Sequence, residues 1–279
     1  MEKLELPEVE TLRRDLDREF GGRKVKSADA HTLKAMPTHK TRKSFEEPMV
    51  GAKVVAVERV GLHLVIHLDN EHALAVALSP TGSVAKAATK DPVEDGTIAV
   101  IAFTQGGDLR IIDPEAESTV DLVTDTDLPS VLPGPDELGL DLHEKPVSWV
   151  DFGRIVRAEK TPLKLLLTDP SVFVGIGDIY SNEILFDAGL RHDRPGESLS
   201  TQEIRRLYRS VVGILHEAIK YGGTSLDSRP FADLSGKPGE YADHLAVYGK
   251  TGELSPRSRA PIQKTSFRHQ VVYYCNTQV

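Results

Sequence analysis

Apolar side chains near the start of the chain recur at the spacing of one helix face: Val9, Leu12, Leu16 and Phe20. Pro7 suits a first helical turn and Gly21-Gly22 a stop, so a helix is predicted between them. From about residue 52 the period changes to two. Val54–Val60, Leu62–Leu68, Ala73–Leu78, Thr97–Thr104 and Leu109–Asp113 read as short strands, separated by turn residues such as Asp69-Asn70 and Gly106-Gly107. This half is expected to form a β-sandwich or flattened barrel flanked by a helix. Leu128–Asp141, rich in Pro, Gly and Asp, reads as a linker. Helical spacing then dominates through Phe152–Glu159, Leu163–Leu167, Ile179–Ala188 and Thr201–Tyr221, the last closed by Gly222-Gly223. Leu245–Tyr248 and Val271–Tyr274 read as strands of a terminal hairpin. The expected class is α+β, in three consecutive segments: 1–132 β-rich, 133–235 helical and 236–279 a small hairpin.

Composition narrows the function classes. The 279 residues carry 42 acidic and 34 basic side chains, a formal charge of −8. No apolar run approaches the roughly 18 residues of a membrane span, and Met1–Glu5 lacks a secretory pattern. A single cysteine excludes a disulfide scaffold and an all-cysteine metal site. The expectation is a soluble, cytoplasmic protein without a membrane partner. Residues 1–142 hold 16 basic and 26 acidic groups, and residues 143–279 hold 18 and 16. Because phosphate is attracted by Lys and Arg, the second half is the more plausible nucleic-acid face.

Four stretches carry a resemblance: Leu6-Pro7-Glu8-Val9-Glu10-Thr11; Gly175-Ile176-Gly177-Asp178-Ile179-Tyr180-Ser181-Asn182-Glu183; Gly222-Gly223-Thr224-Ser225-Leu226 with Gly236-Lys237-Pro238-Gly239; and Val247-Tyr248-Gly249-Lys250. In this order and spacing the chain resembles the formamidopyrimidine-DNA glycosylase/endonuclease VIII family of base-excision-repair enzymes over nearly its whole length. The resemblance implies an N-terminal β-sandwich, a helix–two-turn–helix domain and a C-terminal zinc-finger hairpin. It also implies a DNA partner, with nucleoid association if that binding persists, and a monomer.

The resemblance further implies a set of working residues, and several positions depart from it. Family members use the amine of an N-terminal proline as nucleophile, forming a Schiff base at the sugar C1′. That position is Leu4 here, whose nitrogen is a peptide amide. The family's neighbouring acid survives as Glu5, either a general acid–base or a solvated surface glutamate. Lys3 is the one amine beside the lost nucleophile and the only other catalytic candidate. A phosphate-reaching lysine is replaced by Leu62, and an intercalating methionine by Pro80. In Asp113-Pro114-Glu115-Ala116-Glu117-Ser118, acidic residues replace the arginine and aromatic ring that fill the duplex. DNA-binding candidates are Lys164, Asp178 in the Gly-x-Gly loop, Lys250 and Arg268. Asp178 also reads as an ordinary cap for a helix starting at Ile179, and Lys164 as the polar edge of an amphipathic helix.

The finger's two Cys-x-x-Cys pairs align with Ser255, Ser258, Cys275 and Gln278, so no zinc and no other cofactor is expected, and the hairpin should be zincless. The finger's DNA-binding arginine aligns with Gln270, with Arg268 two residues away on the same strand face. His63, His67 and His72 lack the acids or thiols of a metal cluster. Ser225, Asp227 and His244 lack a nucleophile elbow. Three readings stay open: a degenerate glycosylase that still binds damaged or structured DNA, an active glycosylase using Lys3 or Glu5, or a scaffold repurposed for protein partners.

Overall fold

The structure, a computed structural model, describes residues 4–145 and 147–279. The chain divides into two compact units. The β-rich unit gathers Glu8–Gly134 and Gly222–Gly239, with Leu4. The helical unit gathers Glu5–Pro7, Pro135–Tyr221 and Glu240–Val279, so the terminal hairpin belongs with the helices rather than forming a third body.

In the β-rich unit, helix α1 (Leu6–Phe20) is followed by β1 (Val25–Ala30), α2 (Arg42–Met49), β2 (Val54–Val60), β3 (His63–Leu68) and β4 (His72–Ala77). Strands β5 (Ser83–Ala87), β6 (Thr97–Phe103), β7 (Asp108–Ile112) and β8 (Thr119–Thr124) complete it. Two antiparallel four-stranded sheets result, in the orders β1-β6-β7-β5 and β2-β3-β4-β8. Their inner faces share one core with the apolar stripe of α1: Val9, Leu12, Leu16 and Phe20 are all buried there. Phe20 stacks on Phe103 of β6 at 4.5 Å between ring centroids. Every residue of β6 is buried, as expected of a strand covered on both faces.

The returning segment 222–239 is part of this core. Phe231 and Leu234 pack into it, Lys86 N of β5 donates to Leu234 O at 2.8 Å, and Thr224 N donates to the buried Glu8 carboxylate at 2.7 Å. The segment therefore caps the β5 edge, which would otherwise offer unpaired amides.

The helical unit contains α3 (Trp149–Ala158), α4 (Leu163–Leu167), α5 (Asp178–Ala188), α6 (Thr201–Lys220) and the hairpin β9 (Gln263–Phe267) and β10 (Gln270–Tyr274). Helix α6 opens with a capping box: Ser200 Oγ accepts from Glu203 N while the Glu203 carboxylate accepts from Ser200 N. Arg194 reinforces it and holds the Glu203 carboxyl at about 2.

One expected strand is absent. Leu245–Tyr248 is a buried turn, and its partner in the hairpin is supplied by Gln263–Phe267 instead. The physical reason is Glu183 of α5, whose buried carboxylate accepts the backbone N–H groups of Ala246 (2.7 Å), Val247 (3.0 Å) and Tyr248 (2.8 Å). Three amides spent on one carboxylate are unavailable to a ladder. Removing that acceptor strands all three donors, so Glu183→Ala should lower stability by about 3–5 kcal/mol. Thermal unfolding measures the loss, and hydrogen exchange should show Ala246–Tyr248 losing protection first.

Candidate functional site

In the helical unit, the Gly-x-Gly loop turns the chain into α5. Gly175 has φ +67°, and a Cβ there would come within 2.6 Å of Leu6 Cβ; a Cβ on Gly177 would come within 2.6 Å of Glu5 Cδ. Both glycines are thus dictated by the segment Glu5-Leu6 lying against the loop, with Leu6 N donating to Gly175 O at 2.8 Å. Glu5 is 2% exposed. Its carboxylate accepts from Gly177 N (2.7 Å), Ile179 N (3.0 Å) and Tyr180 N (3.3 Å). These are orphan amides at the positive end of a helix, which a carboxylate satisfies. Glu5 is therefore no solvated surface glutamate. Nor is Asp178 the cap: Gly177 holds that position and Asp178 is the first helical residue.

Asp178 turns instead to Lys164. The Lys164 side chain is fully buried, and Nζ donates to Asp178 Oδ1 at 2.8 Å and to Ser181 Oγ at 2.7 Å. Two residues expected to offer themselves to DNA are thereby joined to each other, and the ammonium is withdrawn from solvent. Lys250 donates Nζ to the Leu245 carbonyl, bracing the turn held by Glu183. Arg268 lies in the hairpin turn rather than on a strand face. It and His269 adopt φ of +47° and +69°, as tight two-residue turns require, and both are exposed. Gln270 is tied to Thr168, donating Nε2 to Oγ1 at 2.9 Å. Arg257 donates to the carbonyls of Phe186 and Asp187 at the end of α5.

In the β-rich unit, Leu4 is 8% exposed and joins the core, and Leu62 packs against the same core. Lys3 lies outside the described residues. The loops carrying Pro80 and Glu115-Ala116-Glu117 meet at one carboxylate, Asp113. It accepts from Ser79 Oγ (2.8 Å), Thr81 Oγ1 (2.7 Å), Ser118 N and Oγ (2.7 Å each), Glu115 N (3.1 Å) and Glu117 N (3.0 Å). Burial opposes its ionisation, but the hydrogen bonds from Ser118, Thr81 and Ser79 outweigh it and hold the carboxyl well below the usual range. Glu115 and Glu117 point their acidic groups to solvent from this knot.

The finger positions do not suit zinc. Gln278 spends both ends of its amide, Oε1 accepting from Cys275 N and Nε2 donating to Leu190 O, each at 2.9 Å. Burial pushes the Cys275 thiol up, but hydrogen bonds from Thr277, Ser255 and Ser258 pull it below its ordinary value. Ser255, Ser258, Cys275 and Gln278 still converge, now held by hydrogen bonds around sulfur. Two hydroxyls and a spent amide leave one thiolate donor, far short of a tetrahedral site. Among the described residues no three His, Cys, Asp or Glu side chains could hold a metal. His67 faces Glu58 and Asp125 at 3.4 and 3.8 Å, and His72 Nδ1 meets Asn70 O. Ser225 Oγ accepts from Phe231 N, and the His244 ring stacks on Tyr221 at 3.8 Å between centroids.

Two family models match the chain: the formamidopyrimidine-DNA glycosylase N-terminal domain over residues 4–120 and the formamidopyrimidine-DNA glycosylase H2TH domain over residues 138–229. The chain belongs to the formamidopyrimidine-DNA glycosylase family. It is 32% identical to the formamidopyrimidine-DNA glycosylase of Herpetosiphon aurantiacus over 274 residues, covering 97% of each chain. It is 34% identical to that of Geobacillus kaustophilus over 271 residues, again 97% of each. The structure is similar to that of the Lactococcus lactis family protein in complex with DNA containing an abasic site, with TM-score 0.85 and 28% identity over 97% of both chains. The α+β fold expected from the motifs is therefore that of the family.

Two measurements test these clusters. A carboxyl held low in the folded chain contributes stability above its unfolded value of about 3.9 and loses it as pH falls below that value. Asp113→Ala should thus cost about 2–3 kcal/mol near pH 7, and urea titrations should show the gap from the parent narrowing below about pH 4. Lys164→Met and Asp178→Ala should each destabilise the helical unit by about 3 kcal/mol. Their double variant should fall short of the sum by about 1–2 kcal/mol in a double-mutant cycle, because neither charge is then left alone.

Proposed function

We propose that this chain is a DNA-associated member of the family that engages damaged or abasic duplex without the usual glycosylase and strand-cleaving chemistry. The carrying observation is Leu4. It stands at the position of the family's proline, its nitrogen locked in the Lys3–Leu4 peptide bond and its side chain 8% exposed in the core. An amide lone pair is delocalised into the carbonyl and does not attack C1′. Glu5 keeps its carboxylate at the positive end of α5, where accepting three backbone amides gives it the role of capping that helix.

Family membership and the DNA-bound Lactococcus lactis relative support DNA as partner. Exposed Arg268 at the hairpin tip and exposed Lys264 farther along β9 supply cations for a phosphate track. Pro80, Glu115 and Glu117 favour binding without insertion into the base stack, because a carboxylate meets phosphate repulsion and cannot stack. The Lys164–Asp178 pair removes one further cation from the contact surface.

Borohydride trapping on an abasic duplex should yield no covalent adduct. An adduct that disappears in Lys3→Ala would replace this reading with an active glycosylase of altered chemistry. Fluorescence anisotropy should show preference for the abasic duplex, with affinity falling between about 50 and 200 mM salt. Arg268→Ala should reduce the salt slope by about 1. No binding to any duplex by the folded protein would instead mean that the scaffold serves protein partners.

A further inference from the structure

Helix α6 carries an exposed cationic face. On one face of its first half, Gln202, Arg205, Arg206 and Arg209 rise beside Trp149 of α3 and the Tyr208 ring, lining a surface cleft of about 590 Å³. Arg205 and Arg209 are exposed and Arg206 is half-buried. Among the described residues none of the three guanidinium groups has a carboxylate partner, and Arg206 Nε is buried with no hydrogen-bond partner. The nearby acids are engaged elsewhere: Glu203 with Arg194 and Asp151 with Arg154. A chain with eight more acids than bases therefore leaves three guanidiniums unneutralised within one helical turn.

The floor of the cleft is apolar. Trp149 and Tyr208 present ring surface, and the arginine stems add methylene groups. Val150 beside it is 49% exposed. A concave apolar floor under a cationic rim matches a ligand that combines carboxylates with one bulky apolar group. Arg205 Cζ lies 4.2 Å from the Trp149 ring centroid, which holds this guanidinium beside the indole at the rim of the cleft. Tyr208 is fixed by its hydroxyl bond to Val147 O at 2.7 Å and by its edge against Phe152. Guanidinium forks pair bidentately with carboxylates and phosphates alike, and it is the apolar floor of Trp149 and Tyr208 that favours an amphipathic acidic peptide over a uniformly charged backbone.

We infer that this cleft docks an acidic peptide segment of a partner protein, with an aromatic or large aliphatic residue seated against Trp149 and flanking carboxylates on Arg205, Arg206 and Arg209. The surface recruits a protein and is separate from the DNA-binding reading, whose residues it does not share.

Trp149 is the chain's single tryptophan, so its emission reports this cleft alone. The probe is a short synthetic peptide of alternating Asp and Glu ending in Phe, titrated into the full chain. Saturable change in Trp149 emission is expected, weakened at least about tenfold by Arg205→Glu or Arg209→Glu. Replacing the Phe by Gly, or the acids by Asn and Gln, should weaken it similarly. Circular dichroism melting should leave these exposed-site variants unchanged, and their affinity for abasic duplex should equal the parent's. Absence of any emission change up to millimolar peptide overturns the proposal, as does binding indifferent to both charge reversals. Tighter binding of an oligothymidylate that competes the peptide away overturns it too, in favour of a nucleic-acid surface.

Discussion

The carboxylate of Glu5 sits on the exposed amides that begin α5, and much of the helical unit's detail follows from that contact. Three donors that a helix leaves unsatisfied are met by one side chain from far away in sequence. The contact forbids side chains at Gly175 and Gly177 and fixes Leu6 against the loop. With capping supplied from outside the helix, Asp178 is free to turn toward Lys164. The charge pattern of the Gly-x-Gly loop is thus set by a residue about 170 positions earlier.

A common physical change links the departures from the family. A group kept for a ligand must tolerate an unmet hydrogen bond or charge until the ligand arrives, and that state is costly when buried. Here those groups find permanent partners. Lys164 has Asp178, the loops beside Pro80 and Glu115 close on Asp113, and Cys275 gathers the hydroxyls that stand where thiolates would be. Each cluster satisfies its own buried polar groups and ties together the elements that carry them.

Patterns with a long period or a strong punctuation mark were readable from the residues alone. The stripe on α1, the ends of α6 and strand β2 lie within a residue or so of expectation, because burial on one face dictates them. Strands β1 (VKSADA), β5 (SVAKA) and β8 (TVDLVT) are short and mixed in polarity and carry little period-two signal; their strand state comes from neighbours in the sheet. Leu245–Tyr248 misled for the opposite reason: an apolar run is shared by strands and buried turns, and Glu183 decides between them. At the candidate site, the residue types at Leu4, Pro80, Ser255 and Ser258 were legible by position. The destination of Lys164 was not, since its partner is fourteen residues away on another helix. The α6 cleft is not readable in the sequence, because Trp149 arrives from α3.

The return of Gly222–Gly239 to the β-rich unit sets an order of assembly. During synthesis the two sheets emerge long before Phe231 and Leu234, so their core stays open and the β5 edge uncovered while the helices are being made. Long-range closure of this kind is paid in loop entropy and slows folding. The β-rich unit is topologically an interrupted domain, and a cut after residue 134 would leave it a sheet pair with an open core and a bare edge.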